Sequence, residues 1–177
     1  MFGRKRVNFS DIPAEEIENI LGVILTNRPS IMNYGDISKS NIFAGSVIGK
    51  AFNKNQNKLS DEFDFVVMFL GQQLLLEKGI EASTIEVAQK AMLQNLLDPD
   101  EKATERYLII YERRLQDYAS ATDINNVAAR LLQNVAVEPL NDREIESSGR
   151  LAEQLSVVKK FIAKAIQGEL KAAQAAR

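Results

Sequence analysis

The chain predicts an all-α fold of about seven helices, and three observations predict it. Apolar residues recur at the three- and four-residue spacing of a helix face along most of the length. Helix starts and stops punctuate that pattern at regular intervals. No segment bounded by turn signals alternates strictly between apolar and polar residues, as a half-buried strand does.

The elements follow in order. Ser10-Asp11-Ile12-Pro13-Ala14-Glu15-Glu16 reads as a helix start, with Ser10 or Asp11 as cap, Pro13 in the first turn and two acids at the positive end of the helix dipole. Ile17, Ile20, Leu21, Ile24 and Leu25 form its stripe, and Asn27-Arg28-Pro29-Ser30 ends it. Residues 30–40 read as loop. Asn41 to Phe52 predicts a second helix carrying the small residues Ala44, Gly45, Gly49 and Ala51, and Asn53 to Lys58 a polar connector. Ser60 then caps a helix that runs to Lys78, with Gly79 in the left-handed position beyond its end. Its apolar residues, from Phe63 to Leu76, surround most of the circumference, which marks the central, buried helix.

Ser83-Thr84-Ile85-Glu86 has the capping-box spacing and opens a helix through Leu96. Asp98-Pro99-Asp100 separates it from a helix reaching about Ala119. Thr122-Asp123 caps the next, striped by Val127, Ala128, Leu131, Leu132 and Val135. After Glu138-Pro139-Leu140-Asn141, a long helix runs to the end, and its closing Lys171–Arg177 stretch is expected to fray or project. The chain therefore divides into a helical bundle domain at 1–140 with a basic N-terminal segment, and a long C-terminal helix at 141–177. That helix either packs on the bundle or serves assembly. Its seam Leu151, Leu155, Val158, Ile162 steps by four, three and four residues, which suits one side of a bundle as well as a short coiled coil.

Composition bounds the function. The 177 residues are 45% hydrophobic and 26% charged, with net charge −2, so a core forms without staples and no bulk field points to a polyanion. The charge is unevenly spread: residues 1–60 carry eight bases and five acids, 61–140 seven and fourteen, 141–177 seven and five. The chain has no His, Cys or Trp. A Ser-His-Asp triad, a thiol nucleophile, a zinc finger and a disulfide are therefore excluded. The basic start Met1-Phe2-Gly3-Arg4-Lys5-Arg6 lacks the apolar run of a signal peptide, and the longest apolar run, Phe65 to Leu70, is too short to span a bilayer. Cytoplasmic residence is the expectation.

The motifs that carry chemistry are incomplete. Gly45-Ser-Val-Ile-Gly49-Lys50 approaches a phosphate loop, but Ala51 stands where Ser or Thr must hold magnesium. Ser156-Val-Val-Lys159 has the spacing of a serine nucleophile and its lysine without the companion motifs. Asp61, Glu62 and Asp64 are the candidate metal-holding carboxylates; their place in a first helical turn also explains them, through the dipole. No cofactor is expected.

The candidate contact residues are of two kinds. Tyr107, Tyr111 and Tyr118 share one helix face with Arg114 beside them, which fits either an interface or a core stripe. Together with the seam Leu151, Leu155, Val158 and Ile162 they form the candidate protein interface. Truncation after Gln154 is then expected to lower assembly more than helicity. Arg4, Lys5, Arg6, Lys159, Lys160 and Lys164 are the candidates for nucleic-acid contact, in a C-terminal stretch (157–177) of five bases and one acid. The reading that results is a non-enzymatic helical interaction protein: a subunit, adaptor or chaperone-like component of a larger protein assembly. Its partners are other protein subunits, or a second copy through the C-terminal helix. The alternatives are a nucleic-acid-associated regulator and a small carboxylate-dependent metal enzyme.

Overall fold

Pro13 sets the start of the first helix. Its ring fixes φ at −70° and its backbone is extended, so the chain turns helical only at the next residue, giving α1 (Ala14–Thr26). Pro13 thus occupies the capping position, not the first turn, and no side chain caps there. At the other end the Asn27 backbone amide and carboxamide both donate to the Val23 carbonyl, at 3.0 and 2.8 Å. The computed structural model describes residues 9, 12–27, 56–96, 101–135 and 142–175, the side chains of 56–60, 101–104 and 142–147 excepted. The helix expected over 41–52, the near-phosphate loop, Arg4, Lys5 and Arg6 lie outside the described residues.

The central helix, α2 (Gln56–Glu77), starts a turn earlier than Ser60. Gln56-Asn57-Lys58-Leu59 contains neither Gly nor Pro, so nothing interrupts propagation backwards from the strong helix ahead. Ser60 is therefore a helical residue and not a cap. The far end behaves as expected. Gly79 takes φ +86°, its amide donates to Leu76 O at 2.9 Å, and the Ile80 amide donates to Leu75 O at 3.2 Å. This pair of bonds is the Schellman closure, and Ile80 beyond it is buried.

The next helix, α3 (Ala82–Leu96), begins one residue ahead of Ser83, with the Ile85 amide donating to Glu81 O. The tight turn at Gly79 delivers Glu81 as the first carbonyl, so Ser83 falls inside the helix and the expected capping box is not its start. α4 spans Glu101–Ala119 and α5 spans Ile124–Val135. Asp123 caps α5 as expected, accepting from the Asn126 amide at 2.9 Å. α6 is the longest, Asp142–Ala175.

Among the described residues there are six helices and no strand. α2 touches each of the other five, and α6 packs along α1, α2 and α5. Phe63, Val66, Val67, Met68 and Leu75 on α2 are buried on different sides, as a helix apolar all round must be. The stripe of α1, the stripe of α5 and the seam of α6 all join α2 in one hydrophobic cluster. Gly71 lets α1 approach: a Cβ there would meet Ile24 and Leu21 at 3.7 Å. No helix among the described residues is long and apolar enough to cross a membrane.

Candidate functional site

Most of the residues expected to form an interface are turned inward. Leu151, Leu155, Val158 and Ile162 are fully buried in the cluster shared with the other helices. On α4, Tyr118 and Tyr111 are buried and Tyr107 is half-buried. Their rings lie along α2: Tyr107 and Tyr111 sit 6.1 and 5.9 Å from Phe65, and Tyr118 sits 5.9 Å from Phe69. Arg114 turns to the same helix, its Nε 3.3 Å from Glu62 Oε2.

Glu62 is the centre of a polar cluster joining α2, α4 and α5. Its side chain is 3% exposed, yet it meets three donors. Tyr118 donates to Oε1 at 2.6 Å, Asn134 donates to the same oxygen at 2.9 Å, and Arg114 pairs with Oε2. Asn134 also donates to Asp117 Oδ2 at 3.0 Å, and Arg130 stands 3.5 Å from Asp117 Oδ1. The donors supply what water would, so the carboxylate stays buried without the cost of an unpaired charge. Burial, then the Glu62 charge, push the Tyr118 hydroxyl far above its ordinary pKa; burial, then Tyr107, do the same to Tyr111. Tyr111 differs in one respect: its hydroxyl finds no hydrogen-bond partner among the described residues.

This arrangement separates the three candidate carboxylates. Asp61 is exposed, Glu62 is buried and Asp64 is half-buried. Among the described residues no three metal-ligating side chains come together. In the sequence Glu62 has the place of a first-turn acid, counted from Ser60, and Asn134 carries no mark of its own. One signal was present: Glu62 shares a helix face with Phe65, Val66 and Phe69, where an acid needs partners.

The lysine candidates are only partly free. Lys159 is paired with Glu77 at 3.0 Å, tying α6 to the end of α2. Lys160 and Lys164 are exposed, and Lys171 shares their face near the end of α6.

An open trough of about 360 Å³ lies between α1 and α3. Gly22, Val23, Met92 and Leu96 supply its apolar walls, and Glu18, Asn19, Thr26, Asn27 and Asn95 its polar edge. Asn95 donates to Glu18 at 2.7 Å across the two helices. Val23 is 37% exposed and Leu96 54% exposed, so water covers apolar surface here. Gly22 costs helix stability, up to about 1 kcal/mol against Ala. A Cβ at Gly22 would meet nothing within 4 Å, so no packing inside the described structure requires glycine there. No sequence signal beyond a glycine inside a helix marked this site. Compared with protein-family models, curated proteins and solved structures, the chain matches none.

Proposed function

We propose that this chain is a non-enzymatic helical interaction protein of the cytoplasm, a subunit or adaptor of a larger protein assembly. The observation that carries the proposal is the α1–α3 trough, an apolar recess whose walls keep Val23 and Leu96 in water. Exposed apolar surface gathered in a concavity is what a partner side chain fills, whereas isolated exposed apolar residues need no explanation. The tyrosine face and the α6 seam no longer support the proposal, because both are committed inside the chain. Affinity capture tests it with a paired variant. Gly22→Leu projects a side chain into the trough, where a Cβ has open space. Proteins captured by the wild type and lost from Gly22→Leu support the reading. Identical captured sets reject it.

A second reading rests on the exposed face of α6. Lys160, Lys164 and Lys171 line it, and among the described residues no large exposed apolar side chain lies on that helix. A lysine face with one exposed acid on it, Glu153, suits phosphate contact better than insertion into a bilayer, which needs apolar anchors. Binding of single- or double-stranded DNA or RNA that falls steeply with salt, and falls further in Lys160→Glu with Lys164→Glu, supports it. Salt-independent or absent binding removes it.

A further inference from the structure

We infer that the occupant of the α1–α3 trough is a second copy of this chain, which inserts the exposed ridge of its own α4. This inference rests on the trough being a contact surface, as proposed above. Among the described residues, and apart from exposed Val87 and Leu76, two apolar features of the surface have no partner, and they are complementary. One is the recess. The other is Ile109 and Ile110, exposed at 60% and 51%.

The ridge has the pattern of a helix that docks in a groove. Arg106, Ile109, Ile110 and Arg113 stand at i, i+3, i+4 and i+7, the positions that face one way on a helix. All four are exposed. The two isoleucines supply the apolar volume that Val23 and Leu96 lack opposite them. The charges agree as well. Among the described residues the trough is lined by one acid, Glu18, and by no base. Glu15 lies on the face of Gly22 seven residues earlier, and α1 carries three acids and no base. Arg106 and Arg113 bracket the isoleucines, one turn to either side. Glu105 and Glu112 lie on the opposite flank of Ile109, where they do not face the α1 wall when the arginines do. The exposed face of α6, by contrast, is basic and among the described residues offers no large apolar side chain to fill the recess.

Trough and ridge are different surfaces, so the contact is heterologous: one copy gives its ridge and the other its trough. The contact is small, and self-association in the micromolar range or weaker is expected. Sedimentation of the full chain from micromolar to millimolar concentration reads it directly. The mass is expected to rise above the 19.8 kDa of one chain as concentration rises. Gly22→Leu blocks the trough, and Ile109→Glu with Ile110→Glu destroys the ridge. Each variant alone is expected to stay at 19.8 kDa while keeping the wild-type helical signal and a melting temperature no lower than that of the wild type.

Mixing the two variants is decisive. Each retains the half that the other lacks, so the mixture forms a species of twice 19.8 kDa that stops there. A wild type that remains a single chain at millimolar concentration overturns the inference. So does a wild-type oligomer that neither variant disperses, or a mixture that does not reassociate. Those outcomes leave the proposed function standing if Gly22→Leu still loses captured proteins of other sequence. Loss of neither self-association nor captured proteins in Gly22→Leu rejects both.

Discussion

The Tyr118 hydroxyl donates to Glu62 Oε1 at 2.6 Å, joining α4 to α2 across 56 residues of sequence. A hydrogen bond to a buried charge contributes about 1.5–3 kcal/mol. Tyr118→Phe is therefore expected to lower unfolding stability by that amount, as read by urea denaturation. Tyr111→Phe is the control. Its hydroxyl is buried without a partner among the described residues, so its removal is expected to be neutral or stabilising. Equal losses in the two variants would contradict the assignment.

Arg114 and Glu62 define a second test on the same cluster. Glu62→Gln removes the charge that Arg114 faces, and a double-mutant cycle with Arg114→Met isolates their coupling. Arg114 is 30% exposed and partly hydrated, which discounts the pair, so about 1 kcal/mol is expected. A coupling within error of zero would place the worth of Glu62 wholly in Tyr118 and Asn134.

The buried tyrosines predict an alkaline limit. Their hydroxyls are held above the ordinary phenolic pKa of about 10 in the folded chain, while the unfolded chain titrates near it. A folded-state pKa raised in this way contributes stability that is complete below about pH 10 and lost as pH rises beyond it. Denaturation midpoints are expected to fall above that pH. Phenolate absorbance of the native chain at pH 11 is expected to be unchanged in Tyr111→Phe and Tyr118→Phe, since neither ring ionises while folded.

Two glycines predict opposite signs. Gly79 holds φ +86°, where a Cβ is strained, so Gly79→Ala is expected to cost about 1–2 kcal/mol. Gly22 sits within α1 beneath open space, so Gly22→Ala is expected to raise stability by up to about 1 kcal/mol. Thermal melting of the pair checks both directions at once.

The α6 seam changes what truncation means. Leu155, Val158, Ile162, Ile166 and Leu170 are all fully buried, and all lie beyond Gln154. Truncation after Gln154 uncovers the faces of α2 and α5 that they cover. Helicity is therefore expected to fall together with any assembly, in place of assembly alone. Leu155→Ala, which leaves the helix whole, is expected to cost about 2–5 kcal/mol in denaturant.

Much of the fold was legible because its strongest elements agree at every level. The central helix announced itself by apolar residues on all sides, Gly79 by its place after Lys78, and Asp123 by its place before Ile124. Helix starts were less legible. Ser60 and Ser83 are good caps by type, but a side chain caps only where the backbone has not already turned helical, and neighbouring residues moved that point upstream. The candidate site was least legible. Val23 and Leu96 are ordinary members of apolar stripes, and only the placement of α1 against α3 leaves them in water. Glu62 was ambiguous for the opposite reason: counted from Ser60 it is a first-turn acid, common on the surface, whereas the helix starts at Gln56 and the donors to Glu62 come from 52 to 72 residues away.

A cylinder greasy on every side has no inherent height or rotation among its neighbours, since sliding it by one turn exchanges leucine for valine at little penalty. Glu62 removes that freedom. Any slip of α2 past α4 and α5 would strand a negative oxygen among phenyl rings, so one carboxylate works as an index mark that selects a single alignment for a rod otherwise indifferent to its setting.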